Sequence, residues 1–187
     1  FFFKQKTAYE IVDCDWSSDV CSSDLMKSVL GSALLDQATD VGGGRAVRYA
    51  DVISGYLRHL KALAEADAGQ PLHRAVLGRP VYFVDEDPVR DAQAQAALAE
   101  AARSVGFTEL AFQFEPIAAA LDFESTLDHE QLVLVADIGG GTSDFSVLRV
   151  GPSRRGQAER SQDILASHGV HVAGTDFDRH VELAAIL

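Results

Sequence analysis

Between Leu132 and Val150 the chain leaves itself few ways to fold. An apolar run, Val133-Leu134-Val135-Ala136, ends in Asp137. Gly139-Gly140-Gly141 follow, then Thr142, Ser143 and Asp144, and a second apolar run goes from Phe145 to Val150. Short β-branched runs bounded by glycine read as buried strands joined by a tight turn. Three successive glycines free the backbone to present N–H groups in a concave turn, which suits a phosphate. Asp137, at the strand end, could hold a hydrated magnesium ion, and Thr142 and Asp144 could meet a terminal phosphate or a water. A bare glycine triplet is more simply a turn that touches nothing; the flanking Asp137, Thr142 and Asp144 favour phosphate binding. No Gly-Lys-Ser/Thr ending is present, so this is not a Walker loop. A strand rather than a helix follows the glycines, so it is not the dinucleotide fingerprint either.

The first 25 residues differ from the rest. FFFKQKTAYEIVDCDWSSDVCSSDL holds the chain's only tryptophan, Trp16, and both cysteines, Cys14 and Cys21. It resembles the translated adapter read-through found at the ends of assembled sequencing reads. Phe1-Phe2-Phe3 is too short for the apolar core of a signal peptide, and no small-residue cleavage site follows. Residues 1–25 are therefore expected to be a non-native leader, the alternative being a genuine N-terminal tail. Neither a disulfide nor a metal site is read from its cysteines.

The whole chain carries 16 basic and 28 acidic residues, a net charge of −12; without the leader the counts are 14 and 23, or −9. That acidity makes nucleic acid a poor partner. No apolar run is long enough to span a membrane, and the absence of cysteine after Cys21 fits a cytoplasmic protein. About 160 residues suffice for one core. Met26 reads as a start or as an internal methionine, and the helical pattern at Leu187 has no Gly or Pro stop signal. Both ends are expected to be cut.

Residues 26–45 are weakly patterned and end in Gly42-Gly43-Gly44, which reads as a flexible turn without a following Thr and Asp. From Tyr49 the positions Val52, Ile53, Tyr56, Leu57, Leu60, Leu63 and Ala64 recur at helical spacing, and Gly69 and Pro71 close the run. His59 reads as solvated. Ala75 to Val84 is strand-like, with Pro80 marking an edge, a bulge or a strand end. Asp87 is placed to cap a helix whose first position is Pro88 and which Gly106 ends. The acidic start of that helix suits its dipole.

Ala111 to Phe114 is a short strand that runs into Glu115-Pro116-Ile117-Ala118-Ala119-Ala120-Leu121. Glu115 ends a strand and begins a helix. Alone it reads as a helix-start carboxylate. With Asp137 at the end of what is expected to be a neighbouring strand, it gains a second reading, as one of two acids flanking a phosphate–metal site. After Val150, the segment Gly151 to Arg160 reads as an exposed hairpin turn, and Asp163 to Ser167 as a returning strand. His168 and His171 have a metal-like spacing, but on an extended segment their rings point to opposite faces, so no metal is expected there. Gly174-Thr175-Asp176-Phe177-Asp178 reads as a helix N-terminus, with Thr175 or Asp176 as its cap or the end itself as a phosphate contact.

Three stretches now stand in one order: Glu115-Pro116-x-Ala118-Ala119-Ala120, Asp137-x-Gly139-Gly140-Gly141-Thr142-x-Asp144, and Gly174-x-Asp176-Phe177-Asp178. Together they resemble the nucleotide-binding domain of the heat-shock protein 70 chaperones, DnaK-like proteins. GRPVYF, AARSVGF and FQFEPIAAALDFE look closest to the YegD-like branch. The resemblance covers about residues 28–187. It implies an α/β, actin-like ATPase fold of two RNase-H-like lobes, each with a βββαβαβ core, closing over ATP and Mg2+. Residues 26–128 would belong to the first lobe and 129–187 to the start of the second, truncated at both ends. Gly139, Gly140, Gly141 and Thr142 resemble the second phosphate loop. Asp137 resembles the acid that orders magnesium-bound water, Glu115 the acid near the hydrolytic water and the metal shell, and Asp144 a further acid of the catalytic centre. Gly174 resembles a nucleotide-side glycine, and residues 116–123 the helix that connects the lobes.

The family's first phosphate loop, its first-lobe lysine and its adenine-binding segments have no counterpart here. The chain alone is expected to bind ATP weakly or not at all, without turnover. The intact protein is expected to bind ATP or ADP and hydrolyse ATP as a chaperone, its nucleotide state gating a client polypeptide or co-chaperone. Other readings are a filament or scaffold protein of the same fold, a small-molecule kinase or exopolyphosphatase, and a nucleotide-binding pseudo-enzyme. EPIAAA weighs against the kinase reading.

Overall fold

The computed structural model describes residues 29–186 apart from 33, 41, 140, 141 and 171, and without the side chains of 175 and 186. The set-aside leader, residues 1–25, lies outside the described residues. Contacts divide the chain into two compact units, one reaching Gln113 and the other starting at Phe114.

In the earlier unit, β1 (Ala38–Asp40) and β2 (Ala46–Arg48) pair antiparallel, Ala38 opposite Arg48. Gly42, Gly43 and Gly44 all take positive φ between them, and the Asp40 carboxylate accepts the Gly42 N–H at 2.8 Å. The stretch expected to be loop thus hides a strand, because three residues carry too little periodicity to show. Helix α1 (Tyr49–Ala68) ends at Gly69, whose φ of 64° is left-handed, as its sequence predicts. Of the expected stripe only Ile53 is fully buried, while Val52 and Leu60 stay exposed. Its partner is α2 (Pro88–Ser104): Ala94 and Ala101 join Leu30 and Ile53 in the core, with Leu57 and Leu98 packed against them. Asp87 caps α2 by accepting the Arg90 N–H at 3.0 Å.

Strand β3 (Arg74–Arg79) pairs with β4 (Glu109–Phe114) and stops before Pro80 instead of reaching Val84. Proline cannot donate to a ladder. Beyond it the Asp91 carboxylate takes the Phe83 N–H at 2.6 Å and pairs with Arg79 at 2.8 Å. A side chain rather than a strand partner satisfies that backbone.

The later unit opens with α3 (Glu115–Thr126) and continues through β5 (Gln131–Ile138), β6 (Ser143–Val150) and β7 (Ile164–Val170) to α4 (Gly174–Ile186). The three strands form an antiparallel sheet in the order β5-β6-β7, with a register shift between Val147 and Leu148. Strand, strand, strand, helix is the opening of the βββαβαβ pattern that the resemblance implies. Alternate residues of β5 and β6 face α3: Ile117, Ala120, Leu148 and Val150 are buried together, with Val133, Val135 and Ile164 packed around them. Burying side chains such as Ile117 and Leu148 contributes roughly 1.5–3 kcal/mol each.

Three expectations are corrected here. Glu115 and Asp137 do not end neighbouring strands, because β4 pairs with β3 while β5 pairs with β6. The Gly151–Arg160 segment is not simply an exposed turn, since Gly151 and Arg160 are buried. Asp163 does not start a strand; it ends a 3-10 turn over Ser161–Asp163 and is fully buried. All three depend on partners distant in sequence, which local pattern does not encode. No helix among the described residues is long and apolar enough to cross a membrane.

Candidate functional site

The β5–β6 register is the foundation of the site. Asp137 lies directly opposite Asp144, and Ile138 opposite Ser143, so the two acids share one face of the hairpin beside its turn. Side chains in such a pair stand about 5 Å apart, and like charges there are mutually unfavourable. Asp144 in turn lies opposite Gly169 of β7. A side chain at Gly169 would begin 2.7 Å from the Asp144 Oδ1. Glycine at this position therefore gives the Asp144 carboxylate its room. Gly169 was passed over in the sequence because the signal, a glycine inside a strand, shows its meaning only through the register. The next row towards the core is polar but neutral: the Ser146 and Ser167 hydroxyls meet at 3.1 Å. Below it the apolar row begins with Leu148.

The glycine turn is tied down on two sides. Gly139 donates its N–H to the Thr142 carbonyl at 2.9 Å, which closes the hairpin, and accepts the Gly174 N–H on its own carbonyl at 3.0 Å. The Ser143 hydroxyl donates to the Val172 carbonyl at 2.6 Å. These bonds bring the N-terminus of α4 to the turn. Asp176 caps that helix, accepting the Ala173 N–H at 3.1 Å. Gly139 and Gly174, far apart in sequence, are thus hydrogen-bonded neighbours that frame the turn. The Thr142 hydroxyl lies 3.5 Å from the Asp144 carboxylate. Gly140 and Gly141 lie outside the described residues.

Glu115 enters the same unit on a different element. It is the first residue of α3, ahead of Pro116, and α3 packs on β5 and β6. The strand that precedes it belongs to the other sheet. His168 is opposite Phe145, on the face away from Asp144, and His171 lies outside the described residues.

What group could this arrangement take? Asp137, Asp144 and Thr142 supply hard oxygen atoms, and the register sets two like charges side by side. No group of three or more metal-capable side chains exists among the described residues. That donor set does not make a closed protein cage. It fits magnesium, which keeps its waters and borrows oxygens from a phosphate while leaning on one or two carboxylates. A glycine turn joined to a helix N-terminus fits the phosphate. A cavity of about 600 Å³ lies elsewhere, between α1 and α2, and its mixed lining of Arg48, Asp51, Arg58 and Glu100 has neither a glycine turn nor a strand-end acid.

Sequence reasoning also missed a buried ionic cluster at the opposite end of the β5–β6 hairpin. Glu124 of α3 is 1% exposed and accepts both Arg160 Nη1 at 3.0 Å and Nη2 at 2.9 Å, together with the Gly151 N–H at 2.9 Å. Burial alone would raise the Glu124 pKa, but Arg160 and the Gly151 amide more than offset that and hold it below the usual value. Arg160 also donates to Asp163, which faces Arg154 Nη1 at 3.1 Å. The latter is a charge contact rather than an aligned bond, since Asp163 Oδ1 has no hydrogen-bond partner.

A family model described as Hsp70 protein matches residues 19–184, starting within the 25 residues that composition sets apart.

Proposed function

Because the chain belongs to the Hsp70 family, we propose that it serves an actin-like, ATP-hydrolysing chaperone, of the YegD-like branch, acting in the cytoplasm. The reading rests on one observation above the others: Asp137 and Asp144 face each other beside a glycine turn that hydrogen bonds tie to the N-terminus of α4. In this reading the turn Gly139–Thr142 surrounds the phosphates, with Gly174 bracing it. Asp137 holds magnesium through water, and Glu115 does the same from α3. Glu115 and Asp144 orient the attacking water. Magnesium, when bound, supplies positive charge against the phosphate oxygens. The residues' own work is to fix water and phosphate in line and to stabilise charge by position. ATP and ADP then gate a client polypeptide or a co-chaperone.

That the chain is part of a longer domain has physical support. Leu132, Leu134 and Ile138 line the outer face of β5 and remain more than half exposed. An apolar strand face of this kind ordinarily carries a covering layer.

Calorimetric titration of the intact protein with ATP, with and without Mg2+, tests the reading. Binding should require Mg2+, and Asp137→Asn should weaken it by roughly tenfold or more, as removal of a metal-orienting group does. Binding that ignores both Mg2+ and the Asp137→Asn change would overturn it. In the longer protein, Glu115→Gln should abolish turnover while ATP still binds.

A further inference from the structure

Three donors from one loop converge on one residue of α3. The Gly151 N–H and the Arg160 guanidinium bind the Glu124 carboxylate. Arg155 binds the Glu124 main-chain carbonyl through Nε at 3.1 Å and Nη2 at 2.6 Å, and also reaches the Leu127 carbonyl. A cation at these carbonyls also complements the helix dipole. Gly151 can approach because it has no side chain: a Cβ there would lie 2.8 Å from the Glu130 Cα. Arg160 is itself held by Asp163, Asp163 faces Arg154, and Arg154 reaches Glu130 at 3.5 Å. Charges alternate along this chain.

The apolar part of the α3 interface buries Ile117 and Ala120 fully, with Phe123 and Leu127 packed beside them. Apolar contact of this kind is non-directional. A bidentate arginine–carboxylate pair fixes both distance and orientation. It is also a poor choice for stability alone, since well-packed apolar residues of the same volume do as well or better. Glu115 stands nine residues before Glu124 on the same helix, or about 14 Å of rise. A turn or slip at Glu124 is carried rigidly to Glu115.

We propose that the Glu124–Arg160 pair, with Arg155, is a positioning clamp that sets the orientation of α3 on the β5–β6 face and thereby the placement of Glu115. The role given to Glu115 rests on the nucleotide reading above. The orientation of α3 does not.

The test separates the two. Residual dipolar couplings of backbone amides report the direction of α3 against β5 and β6 in the nucleotide-free chain. They are measured for the unchanged chain, Glu124→Gln, Arg160→Lys and the core control Ile117→Val, alongside Mg-ATP titration of the intact protein carrying each change. Arg160→Lys keeps the charge and loses the fork, so it serves if Glu124→Gln fails to fold. The expected result is a changed α3 direction in the clamp variants and an unchanged one in Ile117→Val, whose role is packing alone. If α3 in the clamp variants keeps its direction, the clamp is merely structural and the proposal is overturned, whatever ATP does. If α3 moves but the intact protein shows no Mg-dependent ATP binding, the clamp stands and the nucleotide reading falls.

Discussion

The two ends of the β5–β6 hairpin both carry carboxylates and put them to opposite use. At the turn, Asp137 and Asp144 face each other, Asp144 exposed and Asp137 half-buried. At the far end, Glu124 and Asp163 are buried and alternate with Arg160 and Arg154. Alternation satisfies charge within the protein, so such a cluster can be sealed from water. Like charges side by side instead repel across the strand pair. One strand pair thus holds an accessible pair of acids at its turn and a buried, charge-alternating cluster at its far end.

Breaking the far end should have the largest effect. Arg160→Ala leaves Glu124 buried without its guanidinium, and loss of one partner from a buried pair costs about 3–5 kcal/mol. Denaturant unfolding should show this as a lowered midpoint. Acid should erase part of the same contribution. The Glu124 pKa is lowered in the folded protein, so its stabilisation is complete above the ordinary glutamate value and disappears as pH falls through the lowered one. Stability measured from neutral to acid should therefore fall less steeply in Glu124→Gln than in the unchanged chain. Equal slopes would place the acid sensitivity in other carboxylates.

At the turn end, effects on stability should be small and effects on binding large. Gly169→Ala pushes against the Asp144 carboxylate, the mobile end of a side chain. Its stability cost should stay near the ~1 kcal/mol of an ordinary substitution, while the Mg-ATP affinity of the intact protein falls. A drop in stability comparable to that of Arg160→Ala would erase the contrast between the two ends. Smallest of all, Asp137→Asn keeps the shape of the side chain and should change stability by about 1 kcal/mol or less. A loss comparable to that of Arg160→Ala would mean that the two acids are structural after all.

Much of the fold was legible because its signals act over a few residues. Gly69 ends α1, Asp87 and Pro88 start α2, and Gly139 bonds Thr142 across the turn between β5 and β6. Each feature needs only its neighbours' backbone to explain it. Asp137 and Asp144 were legible as acids flanking the glycines, but the register that sets them opposite one another came from the structure. Glu115 was legible as a helix start but not in its strand partnership, because which strand pairs with which is settled by long-range contact.

By itself, then, the sequence determined the end of α1 and the start of α2, the glycine turn with its flanking acids, and the family to which the ordered motifs point. Tertiary structure alone decided that Glu124, Arg160 and Asp163 are buried, that Gly169 makes room for Asp144, and that Gly174 meets Gly139. The physical reason is range. A cap or turn is satisfied within three or four residues, whereas the Glu124 carboxylate finds its partners 27 and 36 residues away. A charged residue read alone belongs in water; only a completed fold can supply the partners that let it be buried.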